Sequence, residues 1–368
     1  MAARPIKLPI VTDAIAVSPE SWIAARVAKC WPGARSRALV AIKGDASSRR
    51  FWRVGIETTG LHDAKTNDVP ATAIAIDLGP DDLPLYVHAL RLLPEPLPEP
   101  PWLSVQRFLE AIGVAVPRLY AADLDARMLL VEDVGELALF DAAQRGDAAD
   151  LYRLAIDQLL RFHLEGTRRL EPDFIAARVA YDERLFRWEL EQFLELGAAA
   201  APGVSRAAIM PELDELAARL GRLPRVFSHR DYHGHNLFVQ FASEGASRLR
   251  VIDFQDALMA PAAQDLAVLL TTRDTARIIA PRTEQRVLDY YHATLIRRAA
   301  TAMPLADFLV SYRLCVIQHA LKVIGRFSYL ERNGKRGYAR YIPDAIAQAR
   351  RMLAQSPEFP VLRAGLRE

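Results

Sequence analysis

The chain has 368 residues, 51% hydrophobic and 25% charged, which excludes a disordered polymer and gives room for two lobes. Its 47 basic residues against 45 acidic ones leave a net charge of +2, so no nucleic-acid surface is indicated. Only six of the basic residues are lysine, and chemistry that needs a lysine has few places to find one.

The N-terminal stretch MAARPIKLPIVTDAIAVSPE is interrupted by Pro9 and Asp13 and reads as an ordinary leader rather than a signal peptide. No run approaches the roughly 18 apolar residues of a membrane span, so a cytoplasmic protein with no membrane partner is expected. Cys30 and Cys315 stand far apart in helical patterns and are expected as free thiols in a reducing compartment.

Ser18-Pro19 offers an N-cap with proline at the first helical position, and Ile23, Val27, Cys30 and Trp31 recur at helical spacing behind it. Extended segments over Ala38–Lys43 and Arg49–Ile56 flank a turn from Gly44 to Ser48 and predict a hairpin. A third strand follows over Ala71–Asp77, ended by Gly79-Pro80. The stretch Pro94–Pro101 is a stiff connector. A helix over Leu103–Ile112 and strands near Arg118–Ala121 and Met128–Glu132 come next, with Asp133-Val134-Gly135 as a break. Beyond it the pattern is helical apart from one strand pair around residue 245. The expectation is an α+β chain of two lobes, β-rich over 1–134 and mainly helical over 135–368.

Chemistry concentrates around that strand pair. Asn236 runs into Leu237-Phe238-Val239, a turn-rich loop follows, and Leu249–Ile252 leads into Asp253. A symmetric hairpin sets Asn236 opposite Asp253, about 5 Å apart. An amide oxygen and a carboxylate at that separation are hard ligands of the kind Mg2+ takes beside phosphate oxygens. Asp231, five residues before Asn236, lies on a loop and faces an acceptor hydroxyl. The pattern His229-x-Asp231-x4-Asn236 followed by Val251-Ile252-Asp253 is that of kinase-type phosphoryl transfer from ATP. A competing reading takes His229, His233 and His235 with Asp231 as a metal cluster of a phosphoesterase. Against it, these residues alternate along one short loop, and His163, His292 and His319 have no ligand-spaced neighbours. His229 is instead expected to hydrogen-bond backbone beside the Asp253 turn. His233 and His235 are expected as loop surface or as lining of an acceptor pocket.

Ser228–Leu237 (SHRDYHGHNL) with Val251–Ala257 (VIDFQDA) resembles the aminoglycoside phosphotransferase-like kinases. Within them it most resembles the anomeric N-acetylmuramate/N-acetylglucosamine kinases of bacterial cell-wall recycling. Gly44–Phe51 (GDASSRRF) is similar to that group's nucleotide-loop hairpin and Leu129–Gly135 (LLVEDVG) to its interlobe hinge. Tyr181-Asp182 with Glu189–Phe193 (ELEQF) is similar to its substrate-lobe helix, and Gln318–Gly325 (QHALKVIG) to its C-terminal signature. The resemblance covers nearly the whole chain from about residue 20 and implies a two-lobed protein-kinase-like fold using ATP and Mg2+.

By resemblance and mechanism together, Asp231 takes the acceptor proton, and Asn236 and Asp253 hold the metal. Gly44, Asp45, Ser47, Ser48 and Arg49 are expected at the triphosphate, with a plain hairpin turn as the alternative. Glu132 and Val134 are expected at the adenine through backbone groups. One departure stands out: Ala71–Asp77 lacks the third-strand lysine of many kinases, leaving Lys43, Arg49, Arg50 or Arg53 for the phosphate charge. That absence also keeps a nucleotide-binding pseudokinase in view. Glu110 reads as an exposed helix glutamate.

Periodicity adds the acceptor side. Leu185, Phe186, Leu190 and Phe193 share one helical arc that includes Glu189, whereas Glu191 falls outside it, four residues from Arg187. Glu189 is therefore an acidic pocket residue or half of a buried ion pair. The segment Asp307–Leu330 is apolar nearly all round except for a stripe of Ser311, Gln318 and Lys322 bordered by His319. Lys322 meets either a sugar substituent or Asp265, and Asp265 is expected to brace the catalytic loop. The expected partner is a small-molecule acceptor: an amino sugar at its anomeric hydroxyl, or alternatively an aminoglycoside or amino alcohol.

Overall fold

The computed structural model describes residues 18–44, 49–58, 69–79, 99–145, 148–197, 205–241, 247–298 and 303–366, with 87, 93 and 97. Asp45, Ser47 and Ser48, expected at the nucleotide, lie outside the described residues, as do the leader and most of the proline-rich connector. The chain forms two units, Met1–Asp81 with Arg118–Asp133, and Asp82–Pro117 with Val134–Glu368. The crossing near residue 135 is thus seen between Asp133 and Val134, but Asp82–Pro117, expected with the first lobe, groups with the second. The physical reason is packing: Trp102 lies against Phe254, and Val251 N–H donates to Ala115 O at 2.8 Å.

The first unit opens with helix α1 (Pro19–Cys30), whose first turn is capped by Ser18 Oγ accepting from Ser21 N–H at 3.2 Å. Strands β1 (Ala34–Ile42), β2 (Arg50–Thr58) and β3 (Thr72–Asp77) then form an antiparallel sheet. After α2 (Pro101–Ala111), which belongs to the second unit, β4 (Leu119–Asp123) and β5 (Met128–Glu132) complete the order β1-β2-β3-β5-β4. Trp22, Ile23 and Val27 of α1 pack on Val54, Ala73, Ala75, Met128 and Leu130. Register explains one ion pair directly: Arg50 lies opposite Asp77, and their side chains meet at 2.5 Å. Arg53 likewise pairs with Asp133 at 2.7 Å. The charges of two arginines considered for phosphate are therefore already met by carboxylates of their own unit.

In the second unit, α3 (Ala148–Leu160), α4 (Glu183–Gln192) and α5 (Arg206–Gly221) precede four short strands: β6 (Arg225–Ser228), β7 (Leu237–Gln240), β8 (Arg248–Val251) and β9 (Leu258–Pro261). Helices α6 (Ala262–Thr271), α7 (Pro281–Arg298), α8 (Leu305–Arg332) and α9 (Ile342–Leu353) follow. Where one strand pair is expected, two are found: β7 pairs with β8, and around it in sequence β6 pairs with β9. The outer strands are no shorter than the inner ones, but no turn joins them: β7, β8 and both connections lie between them in sequence.

The central α8 spans 28 residues. By length and apolar composition it could cross a membrane, which the sequence reading did not register, yet 78% of its most apolar window is buried in the protein. Gly325 allows the closest approach: a Cβ there would stand 2.8 Å from Phe193 Cα, just past the end of α4. A larger residue would push α8 away from the helix that carries Glu189. Cys30 and Cys315 are free, Cys315 buried and Cys30 half-buried.

Candidate active site

The nested strand pairs build the site. Residues 229–236 join β6 to β7, and 252–257 join β8 back to β9, so both connections bridge the same two ribbons side by side. His229 Nε2 donates to Ile252 O across them at 2.9 Å, the backbone contact expected of it.

Asp265, in the first turn of α6 and fully buried, underlies the first connection. It accepts from Ser228 Oγ at 2.8 Å, His229 N–H at 3.0 Å and Arg230 N–H at 2.9 Å. His163 Nε2 adds a contact at 3.1 Å, and His163 Nδ1 lies 2.7 Å from Tyr291 Oη. Burial opposes charge on Asp265, but the His163 hydrogen bond and the surrounding donors outweigh it and hold its pKa below the ordinary value. Arg230 is thereby held at φ 78° and Asp253, on the facing turn, stands at φ 61°. Left-handed backbone at two non-glycine residues costs of order 1–3 kcal/mol each and requires such a brace.

Asp231 follows directly. Its backbone carbonyl accepts from His233 N–H and Asn236 Nδ2, both at 3.0 Å. Its carboxylate takes no hydrogen bond from the described residues; its nearest ion-pair contact is Arg230 Nη1 at 3.7 Å, and the side chain keeps 36% exposure. Burial disfavours its charge, yet Lys322 and then Arg230 hold its pKa well below the carboxylate range. The result is an anion with open lone pairs.

Asn236 and Asp253 come together, though not as a facing strand pair. Leu237 pairs with Val251 and Ile252 N–H donates to Asn236 O at 3.0 Å, so Asn236 faces Ile252, one residue short of the expected partner. The left-handed turn at Asp253, not strand register, accounts for the 3.5 Å between Asn236 Nδ2 and Asp253 Oδ2. Gln255 Nε2 donates to Asp253 Oδ1 at 2.9 Å. With Nδ2 committed to protein acceptors, Asn236 Oδ1 and the Asp253 carboxylate are the hard donors the pair offers, and they fit Mg2+.

Glu189 of α4 is 3% exposed and takes donors from Tyr181 Oη and from Gln318 Nε2, the latter at 2.9 Å. Lys322 Nζ lies 3.3 Å and Arg230 Nη2 3.5 Å from the same carboxylate. This is the buried ion pair held open as the alternative for Glu189, and it places Lys322 with Glu189 rather than with Asp265. Burial raises the Glu189 pKa, but Lys322 and Arg230 more than offset it, so it too is an anion. Glu191, outside the arc, sits 3.6 Å from Arg187 as its spacing predicts.

Of the two alternatives for His233, loop surface falls, because the residue is 9% exposed. Burial, then the Arg273 charge, push its pKa well below the ordinary value, so the ring is neutral at pH 7. His235 rests on Phe140 with ring centroids 4.7 Å apart. Among the described residues no three His, Cys, Asp or Glu side chains group as metal ligands, and the histidine cluster has no counterpart there. Glu110 is exposed, as expected.

Of the nucleotide residues, Gly44 follows β1 and Arg49 precedes β2. Glu132 ends β5, its Oε2 accepting from Arg118 N–H at 3.1 Å, and Val134 begins the second unit. Sequence reasoning missed Arg230, whose guanidinium stands 3.4–3.7 Å from carboxylate oxygens of Asp256, Glu189 and Asp231. It also missed His163, which is 102 positions from its partner Asp265 and carries no local signal.

A five-stranded sheet unit beside, in sequence, a helical unit with this loop defines the protein-kinase-like phosphotransferase fold. Solved structures share it. The choline kinase of Cryptosporidium parvum matches with a TM-score of 0.57 over 94% of this chain and 99% of its own, at 13% identity. LicA in complex with AMP matches with 0.55 over 92% and 98%, at 14% identity. Residues 38–303 match the model of the APH phosphotransferase enzyme family, and the chain belongs to that family. It is similar to the N-acetylmuramate/N-acetylglucosamine kinase of Pseudomonas aeruginosa, 33% identical over 71% of this chain and 75% of that protein. The kinase of the same name from Caulobacter vibrioides is 32% identical over 64% of this chain and 65% of its own length, just under two thirds.

Proposed function

We propose that the chain is a kinase that transfers the γ-phosphoryl group of ATP to an N-acetylated amino sugar, at its anomeric hydroxyl. The observation that carries the phosphotransferase reading is Asp231: ionised, braced through its backbone, and without a hydrogen bond to its carboxylate among the described residues. The acceptor rests on relatives named as N-acetylmuramate/N-acetylglucosamine kinases, and the nucleotide on the family and on a fold shared with a protein solved with AMP.

The acceptor hydroxyl hydrogen-bonds to Asp231, which aims its oxygen at the γ-phosphorus. As the new O–P bond forms, the bond from γ-phosphorus to the β,γ-bridging oxygen breaks, ADP leaves with that electron pair, and the proton passes to Asp231. A carboxylate of depressed pKa is a weak base, which suits a loose transition state where the proton moves late. Asn236 and Asp253 would hold Mg2+, which when bound neutralises charge on the phosphates. Gly44 through Arg49 would lie along the triphosphate, and Glu132 and Val134 would meet adenine through backbone groups. Dependence on ATP fits a cytoplasmic location.

The test is ADP release on adding N-acetylglucosamine, N-acetylmuramate, choline or an aminoglycoside to enzyme, ATP and Mg2+. Release with the amino sugars is expected. Release only with choline or the aminoglycoside would replace the acceptor, and none with any of them would leave a nucleotide-binding pseudokinase.

A further inference from the structure

Lys322 is the cation of the site least committed to protein. Its ammonium has three N–H donors and no acceptor capacity. Among the described residues it meets Glu189 Oε1 at 3.3 Å as an ion pair and stands over the Tyr181 ring at 5.9 Å, with no hydrogen bond of good geometry. Glu189 keeps other donors besides it, because Tyr181, Gln318 and Arg230 also meet that carboxylate. Arg230, by contrast, is divided among three carboxylates. The Lys322 side chain is 16% exposed against 3% for Glu189 and 10% for Arg230, so it is the most accessible of the three. One guanidinium links it to Asp231: Arg230 stands 3.5 Å from the Glu189 oxygen that Lys322 meets and 3.7 Å from Asp231 Oδ2.

We infer that Lys322 is a specificity residue that receives a carboxylate borne by the acceptor sugar, with Glu189 holding it in position. The inference rests on the amino-sugar reading and refines it: the favoured acceptor is an acidic amino sugar. A partly desolvated ammonium with three donors and one carboxylate oxygen in reach gains more from a substrate carboxylate than from a hydroxyl, since hydrogen bonds between ions are about twice as strong. N-acetylmuramate differs from N-acetylglucosamine by a lactyl ether that carries such a carboxylate, so the two sugars form a matched pair of probes.

The experiment is kcat/KM for N-acetylmuramate and N-acetylglucosamine with wild-type enzyme and K322M. The ratio of the two should fall by about tenfold or more in K322M, because a charge-assisted contact is lost for one sugar alone. A ratio that stays within about threefold of wild type, with both rates falling together or neither, overturns the inference while leaving the amino-sugar reading intact. Wild-type enzyme that phosphorylates N-acetylglucosamine but not N-acetylmuramate overturns it as well. If wild type acts on neither sugar, both fail. Should K322M not fold, the double variant E189Q/K322M, which removes both charges of the pair, gives the same readout.

Discussion

The loop that carries Asp231 has two faces, and they are finished to different degrees. Toward α6, the Asp265 carboxylate is wholly buried and accepts from Ser228, two backbone N–H groups and His163. On the side influenced by Lys322, the Asp231 carboxylate accepts no hydrogen bond from the described residues, although nearby cations keep it ionised. Two aspartates with depressed pKa values therefore differ in what satisfies them. Asp265 is satisfied by the fold, whereas Asp231 has lone pairs left for a ligand. A depressed pKa is common to both, so what separates them is how far the protein satisfies the charge.

Substitutions on each face test that contrast. Asp231→Asn should lower kcat by about 10²–10⁴-fold, the range of general acid–base contributions, while calorimetry finds ATP affinity unchanged. Activity within tenfold of wild type, or lost nucleotide binding, would erase the distinction between the faces. Asp265→Ala should instead cost stability, about 3–5 kcal/mol in urea unfolding, because buried donors lose a charged partner. A variant as stable as wild type would show the braced face to be dispensable. Gly325→Ala is expected to cost about 1–3 kcal/mol, since the added methyl meets Phe193 backbone rather than a side chain that can yield. A normal melting temperature would mean that α8 and α4 can separate without penalty.

The smallest effect concerns pH. His319, whose Nε2 lies 2.6 Å from Thr272 Oγ1, is pushed down to about 3 by burial and then by the Lys322 charge. The unfolded chain binds a proton at this residue near pH 6.5 while the folded chain does not, so stability present at pH 7 is lost as pH falls. The loss from this ring should be about 1 kcal/mol between pH 7 and 5.5, read as a urea midpoint shift that H319Q reduces. An equal shift in H319Q would assign the loss elsewhere.

Much of this was legible because it is local. Ser18-Pro19 announced α1, the turn-rich segment after Val239 announced β7–β8, and the arc through Leu185 and Phe193 separated Glu189 from Glu191. What stayed hidden depends on distance or on a single torsion. The β6–β9 pair joins two strands with β7, β8 and both connections between them, so no local turn announces it. The one-residue error at Asn236 arose because strand pairing was extended to Asp253, whose positive φ ends it. Arg230 stood in plain view beside Asp231, but its link to Glu189 needs α4 and the loop to be packed first. Gly325 lies in a recognisable motif, while the reason for glycine is the backbone of Phe193.

The central claim, phosphorylation of an amino sugar at its anomeric oxygen, is tested most directly by the acid lability of the product. With N-acetylglucosamine or N-acetylmuramate as acceptor, brief treatment with warm dilute acid should release the newly transferred phosphate as inorganic phosphate. A product phosphate that survives the same treatment would place the transfer on another hydroxyl and contradict the account.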